Sequence, residues 1–148
     1  MKLAKRLIGF GLAFLLGWGL SIKPVSAADL APHAPDGAKV YIISPANGES
    51  VPSTFKVEFG LSGMGVAPAG IDKENTGHHH LLIDLEELPD LSQSLPATEQ
   101  IRHFGGGQTE TTLSLSQGQH RLQLVLGNYA HVPYDPPVIS NPITVTVR

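Results

Sequence analysis

The chain has 148 residues, 41% of them hydrophobic, with a formal net charge of −3 and no cysteine. That length suits one domain with a core of its own. The missing cysteines exclude a disulfide-stapled scaffold, thiolate catalysis, a blue-copper thiolate and cysteine-based zinc knuckles, which leaves imidazole and carboxylate to hold any metal.

The opening "MKLAKRLIGFGLAFLLGWGLSIKPVSAADL" has a basic start at Lys2, Lys5 and Arg6, then an apolar stretch from Leu7 to Ile22. Small residues at Val25 and Ala27 follow, where a signal peptidase favours them. The stretch is short for a bilayer span of about 20 apolar residues, and glycines interrupt it. Residues 1–27 are therefore expected to be a signal peptide, and the chain to reach the periplasm or the exterior without a membrane span after processing. Four of the ten Lys and Arg residues lie in this leader and all thirteen acids lie beyond it, so the chain from Ala28 carries six bases against thirteen acids, a net of −7. Such a surface repels phosphate backbones and argues against nucleic-acid binding.

Residues 28–37, rich in Pro and Ala, read as a tether. From 38 to 148 the pattern is that of a single domain of short β-type runs separated by turn residues. "KVYIIS" (39–44) is a first strand, closed by an Asn47-Gly48 turn. "TFKVEFGL" (54–61) alternates, with Phe55, Val57 and Phe59 on one face and Lys56 and Glu58 on the other. After a long loop (62–77), "HHHLLIDL" (78–85) resumes as a strand. Residues 86–107 read as a second long connection with room for a short helical turn. "TETTLSLS" (109–116), "QHRLQLVLG" (119–127) and "PITVTVR" (142–148) complete the set, the last two separated by a Pro-rich loop. No stretch keeps a helical period. Six clear strands and one weak one predict an all-β chain: an antiparallel β-sandwich of about seven strands with an immunoglobulin-like Greek-key course. A Greek-key barrel is the competing arrangement.

Taking the six clear strands in immunoglobulin order gives the histidines places. The loop before residue 78, the connection before 109 and the loop after 127 fall at one end of the sandwich. Three distant segments then bring His78–His80, His103 and His131 to that end, whereas His120 opens its strand at the opposite end. Strand alternation turns His79 toward the core with Leu81 and Ile83, and puts His78 and His80 on the other side with Leu82 and Asp84. Neutral imidazoles two residues apart on one strand face can share a copper or zinc ion, with His103 and His131 as further ligands. Glu74 and Glu110 are possible carboxylate ligands or supporting partners. A histidine on its own is more often structural or solvated, which is the reading for His33 in the tether and for His120 at a turn.

Other chemistry has less support. "HFGGGQTE" (103–110) is glycine-rich but lacks the phosphate-loop pattern, and its glycines are better suited to a tight turn or to letting His103 approach its partners. No "GxSxG" nucleophile motif is present. "YDPPV" (134–138) reads as a rigid support for His131.

Together "GMGVAPAG" (63–70), "ENTGHHHLLID" (74–84), "HFGGGQTET" (103–111), "GQHRLQLVLG" (118–127) and "HVPYDPPVIS" (131–140) resemble a family of exported bacterial proteins known as domain of unknown function 4399. The resemblance spans most of the chain after the leader and implies no established activity. Names carried by some members imply a cell-shape protein or an ATPase, but this chain has neither multiple membrane spans nor a P-loop. The Cu/Zn superoxide dismutases also combine a β-sandwich with a His-x-His strand, a parallel of architecture only. The expectation is a copper- or zinc-binding sandwich using His78, His80, His103 and His131, for sequestration, delivery or sensing. The alternative is an envelope module that binds a protein or glycan at the same rim. A metal-dependent oxidoreductase or hydrolase ranks last, because no base or specificity pocket is evident.

Overall fold

A computed structural model describes residues 32–148. The expected signal peptide (1–27) and the first part of the expected tether lie outside the described residues. No helix occurs among the described residues, so the short helical turn considered for 86–107 is absent.

One sheet has three strands in the order β1 (Lys39–Ser44), β3 (Thr54–Ser62), β7 (Glu110–Ser114), all antiparallel. The other has the order β2 (Ser50–Val51), β9 (Ile143–Val147), β8 (Gly118–Gly127), β5 (Thr76–Ile83), β4 (Gly65–Val66), with β6 (Ile101–His103) also paired to β5. The long strands of this second sheet run antiparallel, and only the two-residue strands β2 and β4 join in parallel. Two facing sheets, antiparallel in all their long strands, with this division of strands form the β-sandwich that the immunoglobulin-like course requires.

Alternation places the core. Phe55, Val57 and Phe59 of β3 point inward beside Val40 and Leu113, and meet Leu81, Ile83, Leu122, Leu124, Leu126, Val145 and Val147 from the second sheet. On the outer side of β3, Lys56 sits 3.0 Å from Glu58 and 2.7 Å from Glu110.

β5 departs from the half-buried pattern, since every residue from Gly77 to Ile83 is buried. The cause is the segment 84–104, which folds over the outer face of the second sheet. There Leu95 and Ile101 pack on Leu82 and Val125 as a second small core, with Leu85, Leu91 and Ile139 against it. Burying a leucine or isoleucine fully contributes about 1.5–3 kcal/mol, so this cover is held by several kcal/mol of apolar contact. Backbone bonds register it: Ile83 N–H donates to the Gln100 carbonyl at 2.8 Å, and Phe104 N–H to the His79 carbonyl at 3.0 Å. Asp84, expected on the outer face with His78 and His80, instead ends the strand in a left-handed conformation (φ 53°). Its carboxylate accepts from Arg121 N–H and pairs with His120, both at 2.7 Å. At the other edge, the Pro32 carbonyl accepts from Asp135 N–H and Ala34 packs on the core, so this part of the expected tether lies against the sandwich.

Candidate metal centre

The three consecutive histidines divide by strand geometry. His79 points between the sheets, its ring 5.2 Å from that of Phe59. Its Nδ1 lies 3.2 Å from the Gln108 carbonyl, which can only accept, so this nitrogen carries the proton. His78 and His80 point to the opposite face, beneath the covering segment, and are fully buried.

The second sheet's register supplies the other two rings. β6 sets His103 directly across from His80, so their side chains share a face. His131 arrives from the loop after β8, in a left-handed conformation (φ 65°) unusual for a residue with a side chain. Asn128 holds that loop. Its Oδ1 accepts from Ala130 N–H at 2.9 Å and Val132 N–H at 3.0 Å, and its carbonyl accepts from His131 N–H at 3.0 Å. The His131 carbonyl in turn accepts from Leu95 N–H at 3.0 Å, which ties the loop to the cover. The local fixing of His131 thus comes from Asn128, which the sequence reading passed over, where "YDPPV" had been expected to supply it.

One ligand atom from each of His78, His80, His103 and His131 lies within 4.8 Å of every other. His78 Nε2 and His131 Nδ1 approach to 3.1 Å. The exposure is graded, with His78 and His80 buried, His131 half-buried and His103 exposed, so the group has a closed floor and one ligand at the solvent edge.

Two glycines make the approach possible. A Cβ at Gly105 would lie 2.3 Å from His103 Cε1, and one at Gly127 would lie 2.7 Å from His80 Cε1. Both distances are too short for any side chain, so these positions are cradles for imidazole rings. The Gly105 contact accords with the expectation for the "FGGG" glycines. Gly127 was not anticipated, because its place beside the cluster depends on its pairing opposite His78.

The electrostatics favour neutral imidazoles. Burial, followed by repulsion from His103, His131 and His79, pushes His78 down to about 4. Burial, followed by repulsion from His78, His103 and His131 and only partly offset by the His78 backbone, pushes His80 down to about 3. His103 is also lowered, by burial and then by His131. Among the described residues no carboxylate joins the group. Glu110 is engaged with Lys56, and Glu74 lines a separate cavity of about 290 Å³ with Asp72, Tyr134 and His33. His120 sits elsewhere, bonded to Asp84 and to the Ser116 carbonyl at 2.9 Å.

Among the described residues, four buried imidazole nitrogens have no hydrogen-bond partner of good geometry: Nδ1 of His78, Nε2 of His79, and both nitrogens of His80, which comes no closer than a weak approach to the His78 backbone. An unsatisfied buried polar atom costs about 1–3 kcal/mol, and native structures hold few of them. Each neutral imidazole of the adjacent cluster has one nitrogen with a free lone pair, so a cation could satisfy one nitrogen each of His78 and His80, whereas His79 lies outside the group.

Comparison with known proteins adds a family. The chain is similar in structure to an endo-beta-1,4-mannanase from Thermotoga petrophila, with 18% identity and a TM-score of 0.42 over 75% of this chain and 20% of that one. It is similar also to the fibronectin(III)-like modules of Clostridium thermocellum CbhA (14% identity, TM-score 0.35, 73% and 92% of the two chains). A Jonesia denitrificans lytic polysaccharide monooxygenase is a third such structure (15% identity, TM-score 0.31, 70% and 60%). The chain thus spans a fifth of the mannanase, and likenesses this remote carry nothing about activity. No curated protein matches the sequence. A family model does match, over residues 57–148, more than half of the chain and including all four clustered histidines: the chain belongs to the family described as "Domain of unknown function (DUF4399)".

Proposed function

We propose that this protein is an exported metal-binding β-sandwich that holds a copper or zinc ion through His78, His80, His103 and His131, for sequestration, delivery or sensing at the cell envelope. The observation that carries the reading is the set of partnerless nitrogens on buried His78 and His80 inside a four-imidazole cluster. Nitrogen donors suit zinc, copper and nickel, whereas magnesium and calcium take oxygen. Because His78 and His80 are held well below the ordinary imidazole range, protons do not compete for them at neutral pH. The basic-then-apolar opening of the chain, with small residues at Val25 and Ala27, supports export.

Isothermal titration of the tag-free protein with Cu(II) and Zn(II) tests the reading. One equivalent should bind, and the His78→Ala/His80→Ala/His103→Ala variant should lose that binding. Equal affinity in the two proteins would overturn it.

A further inference from the structure

The shape of the cluster discriminates between the two metals. This inference rests on the metal-binding reading above and deepens it. Imidazole nitrogens sit about 2.0–2.1 Å from zinc, which places each ring centroid about 3.2 Å from the ion. A tetrahedral centre then spaces all six pairs of rings equally, at about 5.2 Å. A square-planar centre instead gives four pairs at about 4.5 Å and two opposite pairs at about 6.4 Å, with no ring belonging to both opposite pairs.

The observed separations match the first pattern. Five of the six lie between 4.5 and 5.2 Å: His103–His131 at 4.5, His78–His80 at 4.8, His78–His103 at 4.9, His78–His131 at 5.0 and His80–His103 at 5.2 Å. His80–His131, at 6.0 Å, is the one long pair. In a square that pair would be one diagonal and His78–His103 the other, yet His78–His103 is among the shorter separations. The fold explains why no plane forms. His78 and His80 run along β5, His103 rises on one flank from β6, and His131 enters from beyond β8. The ligand atoms, up to 4.8 Å apart, close on an ion through small ring movements, which are easiest for exposed His103.

We infer that the ion is Zn(II), held by His78, His80, His103 and His131 in a closed tetrahedral centre that leaves no coordination position for a substrate. Zinc has no geometric preference of its own and is four-coordinate tetrahedral in closed protein sites, whereas Cu(II) favours tetragonal ones. Cu(I) also accepts four-coordination but is selected by thiolate and thioether donors, whereas all four residues of the cluster offer imidazole nitrogen. Sites that catalyse keep one position open, so a filled tetrahedron assigns this centre to holding zinc, not to chemistry on a ligand.

Cobalt(II) substitution of the tag-free protein reads the geometry directly. The expected result is the intense visible absorption of tetrahedral Co(II), unchanged by excess azide and bleached by one equivalent of Zn(II). The His103→Ala variant, which removes an exposed ring from a three-residue strand, should still bind Co(II) but become azide-sensitive. It should also prefer Cu(II) over Zn(II) by at least about tenfold more than the wild-type protein does, since opening one position lets copper take its own geometry. A weak octahedral spectrum, azide sensitivity in the wild-type protein, or an unchanged copper preference in the variant would overturn this inference while leaving metal binding intact. Absence of any binding in the titrations would remove both.

Discussion

Two ends of the same sheet carry histidines, and they are built on opposite principles. At one end His120 has both ring nitrogens satisfied, Nδ1 by the Asp84 carboxylate at 2.7 Å and Nε2 by the Ser116 carbonyl at 2.9 Å. Partial burial lowers its proton affinity, but Asp84 and Ser116 outweigh this and the net shift is upward. At the other end four imidazoles face one another, and among the described residues no carboxylate joins them and buried nitrogens lack partners. His120 is complete within the protein and needs nothing further. The cluster, in contrast, could hold a cation. Neighbouring groups, not the histidines themselves, separate a structural ring from a ligand.

That contrast can be broken by measurement. The largest effect is expected from removing the buried ligands. With zinc at about a thousand times its Kd, bound metal stabilises the folded state by about 4 kcal/mol. The His78→Ala/His80→Ala variant should therefore lose the zinc-dependent rise in melting temperature, whereas His120→Ala should keep it. A rise that persists in the double variant would sink the assignment.

Next in size is the response of the metal-free protein to acid. His78 and His80 have folded values of about 4 and 3, below the ordinary 6.5, so the unfolded chain binds protons first as the pH falls. Stability should thus be full above pH 6.5 and decline by a few kcal/mol on acidification toward pH 3–4. His120, raised in the folded state, has the opposite sign: its contribution is full below pH 6.5 and is lost as the pH rises through its folded value. Urea unfolding across pH 3.5–8 should show the first trend in the wild-type protein and a flattened one in His78→Ala/His80→Ala. A flat profile in the wild-type protein contradicts the account.

The glycine cradles give a smaller and more selective effect. Gly105→Ala should displace the His103 ring and weaken zinc binding about tenfold, or about 1.4 kcal/mol, with little change in metal-free stability. Unaltered zinc affinity in this variant would mean that His103 is not a ligand.

The smallest effect belongs to His120→Gln. Its pair with Asp84, whose side chain is 40% exposed, is screened by solvent and should be worth no more than about 1 kcal/mol. Zinc affinity should not change, and a measurable loss would show that the two ends of the sheet are coupled.

Much of this organisation is visible in the sequence because alternation is a direct physical signal. Phe55, Val57 and Phe59, like Leu122, Leu124 and Leu126, announce strands and their inner faces, and strand order then brings His78, His80, His103 and His131 toward one end. What stays hidden depends on pairing. Ile101-Arg102-His103 is too short to show a period, and it is a strand only because β5 offers an edge. The outer face of β5 reads as solvent-facing until residues 84–104 fold across it, so the full burial of His78 and His80 has no local signature. Gly127 looks like an ordinary turn glycine after an apolar strand. Only the register that sets it opposite His78 reveals the ring it admits.

The most direct measurement is anomalous diffraction at the zinc edge from crystals of the tag-free protein grown with one equivalent of Zn(II). The account predicts a single strong peak about 2.0–2.1 Å from one nitrogen of each of His78, His80, His103 and His131. A peak elsewhere on the molecule, or none, would contradict it.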